Sequence, residues 1–214
     1  MVAALVLPVL FVQISAAVAL VGTVTGFAAG IAQRRRALGE VHVVARKDPV
    51  RGTTILWVGG TLVATFWPLG FFLLPQFAYH WPAFPDFPAS WVVQIIGVAF
   101  GVTGGVLFSR AARALGTQMT PEIRIQQGHQ LIEVGPYRRI RHPVYTAILF
   151  VAFGQSLLFL SLPAALLALL LAALALYRAG LEERLLSSPD AFGATYDAYA
   201  ARTGRFLPRL RSKP

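Results

Sequence analysis

From Val144 to Tyr177 the chain runs 34 positions without a charged residue. As one helix this stretch would be about 51 Å long, far beyond a hydrocarbon core of about 30 Å. It can neither stay in water nor cross a bilayer once, so it is expected to fold back as two short or tilted helices. The turn is expected near "GQSLLFLSLP", where Gly154, Ser161 and Pro163 can interrupt a helix. Composition points the same way: 56% of the 214 residues are hydrophobic and 13% charged, where a soluble domain carries about a quarter charged residues.

Three further spans are legible. Residues 1–33 carry no charge, a stretch longer and more apolar than a cleavable signal peptide and without its basic start, and are expected to stay as a first span. A second uncharged run begins at Gly52 and supplies a span to about Leu74, followed by the aromatic, proline-rich loop "PQFAYHWPAFPDFPAS". A third span runs from about Ser90 to Ser109. The fold class expected is therefore an all-α integral membrane protein of about five transmembrane helices. Its last two spans would form a short helical hairpin, and a cofactor-binding segment and a C-terminal helix would lie on the cytoplasmic side. The organisation divides into 1–90, two spans with their loops, and 91–214, a core holding the hairpin at 143–181.

Charge placement tests the count. All 19 Lys and Arg fall at 34–51, 110–141 and 178–213, and the loop at 75–90 has none. Five spans with an external N-terminus put all three basic regions in the cytoplasm, as the positive-inside rule requires. The net charge of +10 then reflects orientation in the bilayer, and no nucleic-acid module is visible. The chain has no cysteine, which removes disulfides, thiolate nucleophiles and thiolate metal sites. Glycines at 22, 26 and 30 and at 97, 101 and 105 line two helix faces where another helix can approach closely, within the monomer.

Chemistry concentrates between the third and fourth spans. Ile123 and Ile125, then Ile132 and Val134, alternate with polar residues around "QQGH", the pattern of a small hairpin. In "VGPYRRIRHPVY", Arg138, Arg139 and Arg141 are expected to anchor the chain to lipid headgroups. Pro143 suits a first helical turn. His129 and His142 lack a second His at metal-ligand spacing, so no metal is expected. In "YRAGLEERLL", Arg178 and Glu182 stand four apart on one helix face, and Glu183 points elsewhere. The fold-back brings them near His142 and Tyr145 beside an apolar wall, a place for a polar cofactor and a lipophilic substrate.

"GHQLIEVGPYRRIRHPVYTAIL", then "LEERLL", then "FGATYDAYAARTGRFLP" resembles the isoprenylcysteine carboxyl methyltransferase family and the wider group of membrane phospholipid methyltransferases, over roughly residues 95–210. The resemblance implies S-adenosylmethionine-dependent methyl transfer at the membrane–cytosol boundary. Carried over by position, His129, Gln130, Leu131, Ile132, Tyr137, His142, Pro143, Val144 and Tyr145 would line the cofactor, with Gln126 as a further candidate. Glu182 would hold the cofactor and Arg178 would face the methyl acceptor, these two being the catalytic candidates. Tyr196, Tyr199 and Arg205 to Pro208 would close the site. One departure is Ala147, where the family usually has Gly, which would alter the pocket's shape.

The partners implied are membrane lipids and a lipophilic or lipid-linked acceptor. For a carboxylate acceptor, Arg178 would orient it bidentately. For an amine, as in phospholipid methylation, Glu182, Glu183 or His142 would serve as base. A non-enzymatic membrane protein keeping only the fold is the third reading. Only two of the 19 basic residues are Lys, which suggests a GC-rich genome and a bacterial inner membrane.

Overall fold

A computed structural model describes residues 51–70, 89–125 and 128–209, the pair 46–47, and separate positions between 10 and 32. Its elements are β1 (Arg46–Lys47), α1 (Arg51–Phe66), α2 (Ser90–Leu115), β2 (Arg124–Ile125), α3 (Pro143–Leu158), α4 (Leu162–Leu186) and α5 (Ala194–Arg202). Short 3-10 turns occupy Gly116–Gln118 and Gly135–Arg138. The described part of the molecule is thus mostly helical.

Helix α2 with its 3-10 extension, Ser90–Gln118, and α4 are long and apolar enough to cross a membrane. Helices α1 and α3 are shorter apolar helices, each about 24 Å for 16 residues. The sidedness of α4 suits lipid. Leu166, Leu169 and Leu170 are 58–61% exposed while Ala164, Ala168, Ala175 and Ala179 are buried. Small residues inside let helices approach, and large aliphatic ones face outward, where lipid tails are as apolar as leucine.

Helices α3 and α4 are joined by Phe159–Ser161, with Leu160 in the left-handed region at φ 53. The Ser161 side chain accepts from the amide of Ala164, 3.3 Å away, and Pro163 sits in the first turn, where its missing N–H costs nothing. The break is therefore made by the residues around Ser161 and Pro163. Gly154, expected among the interrupters, lies inside α3 and does something else. A Cβ there would stand 2.6 Å from the Gly101 amide nitrogen, and one on Gly97 would stand 2.5 Å from that of Leu158. The α2 and α3 backbones touch at these glycines. Gly104 meets the carbonyl of Ala147 in the same way, a Cβ lying 2.8 Å from it. Another face of α2 carries Gly105, where a Cβ on Gly22 would sit 3.4 Å from its Cα. Positions 26 and 30 of the glycine pattern lie outside the described residues.

The surface hairpin is not as expected. β2 forms at 124–125, but its antiparallel partner is β1, with Arg46 opposite Ile125 and Lys47 opposite Arg124. Residues 131–133 are irregular, and the Gln130 amide nearby donates to Gln118 Oε1 at 2.9 Å. Alternation around a glycine specifies two extended runs but not which edge each one finds. Helix α2 also runs six residues past the expected end at Ser109, because Arg110 and Arg113 leave the apolar run without breaking the helix. One core cluster joins Trp57 and Ala64 of α1 to Phe108, Ala147, Ile148 and Leu171, so the packing crosses the division drawn at residue 90.

Candidate functional site

The start of α3 meets the end of α4, and the C-terminal tail is strapped beside both. The Arg141 amide donates to the Gly204 carbonyl at 2.8 Å and the His142 amide to that of Arg205 at 3.0 Å. Thr146, one turn into α3, donates its hydroxyl to the Phe206 carbonyl at 2.8 Å. In a helix's first turn the amides have no intrahelical acceptor, so His142 and its neighbours are free to accept this strap.

Glu182 and Glu183 share sequence neighbours but not surroundings. Glu183 is the hub of the strap: it accepts from Arg141 Nε at 2.9 Å and from Arg205 Nε and Nη2, and its Oε1 lies 3.1 Å from His142 Nε2. Its acceptor sites are spent on the protein itself. Glu182 accepts the Tyr145 hydroxyl at 3.0 Å and has His142 Nδ1 at 3.7 Å, with its side chain 34% exposed. It is the carboxylate with capacity left for a ligand. The His142 ring lies parallel to that of Tyr145, centroids 5.4 Å apart, and Trp57 meets the Tyr145 edge at 4.8 Å.

These groups form one end of a cavity of about 570 Å³. Its apolar limb runs past Trp57, Leu62 and Phe66 of α1, Phe108 of α2 and Ile148 of α3. Its polar end is built by His129, Gln130, Leu131, Ile132, Tyr137, His142, Val144, Tyr145 and Glu182, which the fold gathers from three separated stretches of chain. Tyr196 and Tyr199 of α5 also line it, whereas the Arg205 to Pro208 tail does not and acts only through the strap. Pro143 is fully buried at the α3 start and outside the wall. Gln126 lies outside the described residues.

Burial dominates the titration of the wall. It lowers His129, against a smaller opposing pull from Glu182, so the ring is already neutral within the ordinary histidine range; it stands edge-on to Phe192 at 5.7 Å. Burial pushes the Tyr199 hydroxyl up to about 12 and raises Tyr137 and Tyr196 further, so all three remain donors. Tyr199 donates to the Tyr137 carbonyl at 2.8 Å. The hydroxyl of Tyr196 and Nδ1 of His129 are buried without a hydrogen-bond partner among the described residues.

Three expectations need restating. Arg141 does not reach for headgroups: it is drawn inward by Glu183 and by the carbonyls of Ala200 and Thr203, at 2.8 and 2.6 Å. Arg178 is 1% exposed and outside the cavity wall. It donates to the Thr53 and Thr54 hydroxyls at 3.0 and 3.1 Å and to the Pro121 carbonyl at 2.6 Å, tying α1 and the 121 loop to α4. Ala147 is fully buried against α2 and absent from the wall, so its extra methyl bears on helix packing and leaves the pocket's lining alone. Sequence reasoning named Glu183 only as a candidate base for an amine acceptor and missed its part as the hub of the strap. A helical offset shows that it leaves the Glu182 face but not that Arg141, His142 and Arg205 wait there.

The described part of the protein thus joins two membrane-length helices to a cavity whose wall carries apolar side chains and, among aromatic rings, the part-exposed Glu182 carboxylate. Residues 95–188 match the model of the isoprenylcysteine carboxyl methyltransferase (ICMT) family. Two relatives from rice, Oryza sativa subsp. indica and subsp. japonica, each named "Probable protein-S-isoprenylcysteine O-methyltransferase", are 33% identical over 128 residues. That is 58% of this chain and 66% of each relative, so the chain spans a little under two thirds of their length.

Proposed function

We propose that the chain is an S-adenosylmethionine-dependent methyltransferase of the membrane that methylates a lipophilic acceptor, an isoprenylcysteine-type carboxylate. The observation that carries this is the cavity itself. The residues that the family resemblance assigns to the cofactor, apart from Gln126 and Pro143, stand at its polar end, and an apolar limb continues from them between α1, α2 and α3. The printed name of the rice relatives supports O-methylation of a lipid-modified cysteine. The reading includes five spans with the N-terminus outside and the polar end of the cavity in the cytoplasm, in a bacterial inner membrane.

The residues present fit the cofactor. A zwitterionic sulfonium nucleoside needs an anion for its ammonium group, aromatic faces for its cation and unspent polar atoms for its remaining groups. Glu182, the Tyr145 and Trp57 rings, and the partnerless His129 Nδ1 provide these. Bound there, it would supply an electrophilic methyl group. The protein's part is binding and alignment. Glu182 holds the ligand's cationic end, and Tyr145 fixes the Glu182 carboxylate by donating to it. His142, clamped by Glu183, keeps Tyr145 in its stacked position. The apolar wall excludes water from the transfer.

Calorimetry on detergent-solubilised protein tests the reading. The wild type should bind S-adenosylmethionine or its demethylated product, and Glu182→Ala should weaken binding roughly 10-fold or more, as expected for losing a charge-assisted contact. A folded wild-type sample that binds neither ligand overturns the proposal.

A further inference from the structure

Three polar atoms of the cavity wall, Thr61 Oγ1, His129 Nδ1 and the Tyr196 hydroxyl, have no hydrogen-bond partner among the described residues, and the last is on the C-terminal helix. Tyr196 is 2% exposed, lines the cavity, and has a hydroxyl without a partner. Its neighbour Tyr199, with ring centroids 5.9 Å apart, shows the ordinary arrangement, spending its hydroxyl on the Tyr137 carbonyl. A buried hydroxyl left without a partner costs about 1–3 kcal/mol, so an unspent one in a cavity wall marks a place where a ligand atom can relieve that cost.

A cation stands beside it. Arg141 also lines the cavity, and its Nη1 donates to the carbonyl of Ala200, which is four residues from Tyr196 on the same face of α5. Its Nε is taken by Glu183, while Nη2 makes no hydrogen bond among the described residues. The wall therefore offers a phenolic donor, a guanidinium group and the part-exposed Glu182 carboxylate. Donors plus a cation complement an anion, and a carboxylate complements an ammonium group. A ligand with both at one end is an α-amino acid.

Building on the cofactor reading above, we propose that Tyr196, with Arg141, forms the subsite for the carboxylate of the cofactor's amino-acid end, while Glu182 takes its ammonium group. Burial, with Glu183 and Glu182 adding to it, keeps the Tyr196 hydroxyl protonated. It is thus a donor throughout the physiological range. The proposal gives α5, which lies beyond the family-matched residues 95–188, a part in ligand selection.

The test compares two ligands that differ only in that carboxylate. S-adenosylmethionine and its decarboxylated form are competed against labelled S-adenosylmethionine on the full-length, detergent-solubilised protein, wild type and Tyr196→Phe. The wild type should favour the intact ligand strongly. Tyr196→Phe should weaken the intact ligand roughly 10-fold and leave the decarboxylated one within about twofold. The variant removes an unpartnered hydroxyl, so its melting temperature without ligand should be unchanged or higher. Equal weakening of both ligands, no weakening of either, or a wild type indifferent to the carboxylate each overturns the subsite while leaving the cofactor reading standing. A wild type that binds neither overturns the cofactor reading itself, and the subsite with it.

Discussion

Adjacent carboxylates in one dipeptide divide two tasks between them, and the division follows from what each side chain already touches. Glu183 is 15% exposed and surrounded by Arg141, Arg205 and His142. Removing it leaves Arg141 and His142 without their acceptor and frees the tail. Glu183→Ala is expected to cost about 1–3 kcal/mol, read as a melting temperature lower by roughly 5 °C for a chain of this size. Glu182 is the more exposed and makes one hydrogen bond, to Tyr145. Its replacement by Ala should leave the melting temperature nearly unchanged while weakening ligand binding roughly 10-fold or more. Thermal unfolding of both variants without ligand checks the contrast, and an unaltered melting temperature for Glu183→Ala would remove the hub from the account. The sequence placed Arg178 and Glu182 on one helical face, but that face has no view of which guanidinium groups are already occupied. Arg178 is tied to Thr53 and Thr54, residues 124–125 positions away along the chain, and no spacing rule reaches so far.

Between elements, the α2–α3 crossing sets the distances on which the cavity depends. Glycines are legible in a sequence as a face without side chains, and Gly97 and Gly101 do serve that purpose. Gly154 was legible only as a helix breaker, because its partner glycines lie on another helix. A side chain at Gly154 would drive a Cβ to within 2.6 Å of backbone, where nothing flexible can yield, whereas Gly59 has nothing within 4 Å. Gly154→Val is expected to cost about 1–3 kcal/mol by overpacking, and Gly59→Val much less. Comparing the two melting temperatures in the same detergent checks this; equal losses would mean that the crossing does not carry the packing. The misplaced strand has the same origin. The pattern at 123–125 specified an extended segment, and the edge it found came from residues 46–47, far away in sequence.

Across the whole molecule, the site does not coincide with the region that carries the family resemblance. Trp57 of α1 and Tyr196 and Tyr199 of α5 stand in the cavity wall, and all three lie outside residues 95–188. The proposed topology has a direct check, since the chain has no native cysteine. A cysteine placed at Ser212 should resist a membrane-impermeant maleimide in intact cells and react once they are permeabilised. One placed at Gln76 should react in intact cells. The reverse pattern would invert the orientation, and equal labelling would remove it.

The sequence by itself determined that this chain is apolar and helical. It also determined that the run at 144–177 must turn back on itself, and it singled out polar candidates from His129 to Glu182. Those are local or additive properties: charge absent over a known length, small residues at a fixed period, a carboxylate one turn from an arginine. Only the tertiary structure decided which carboxylate stays available, that Arg141 turns inward, that Arg178 is spent on α1, and that Tyr196 has a hydroxyl to spare. Each of those depends on which hydrogen-bond acceptor is nearer in space. A folded chain settles that by packing distant segments together, and the local pattern contains no term for it.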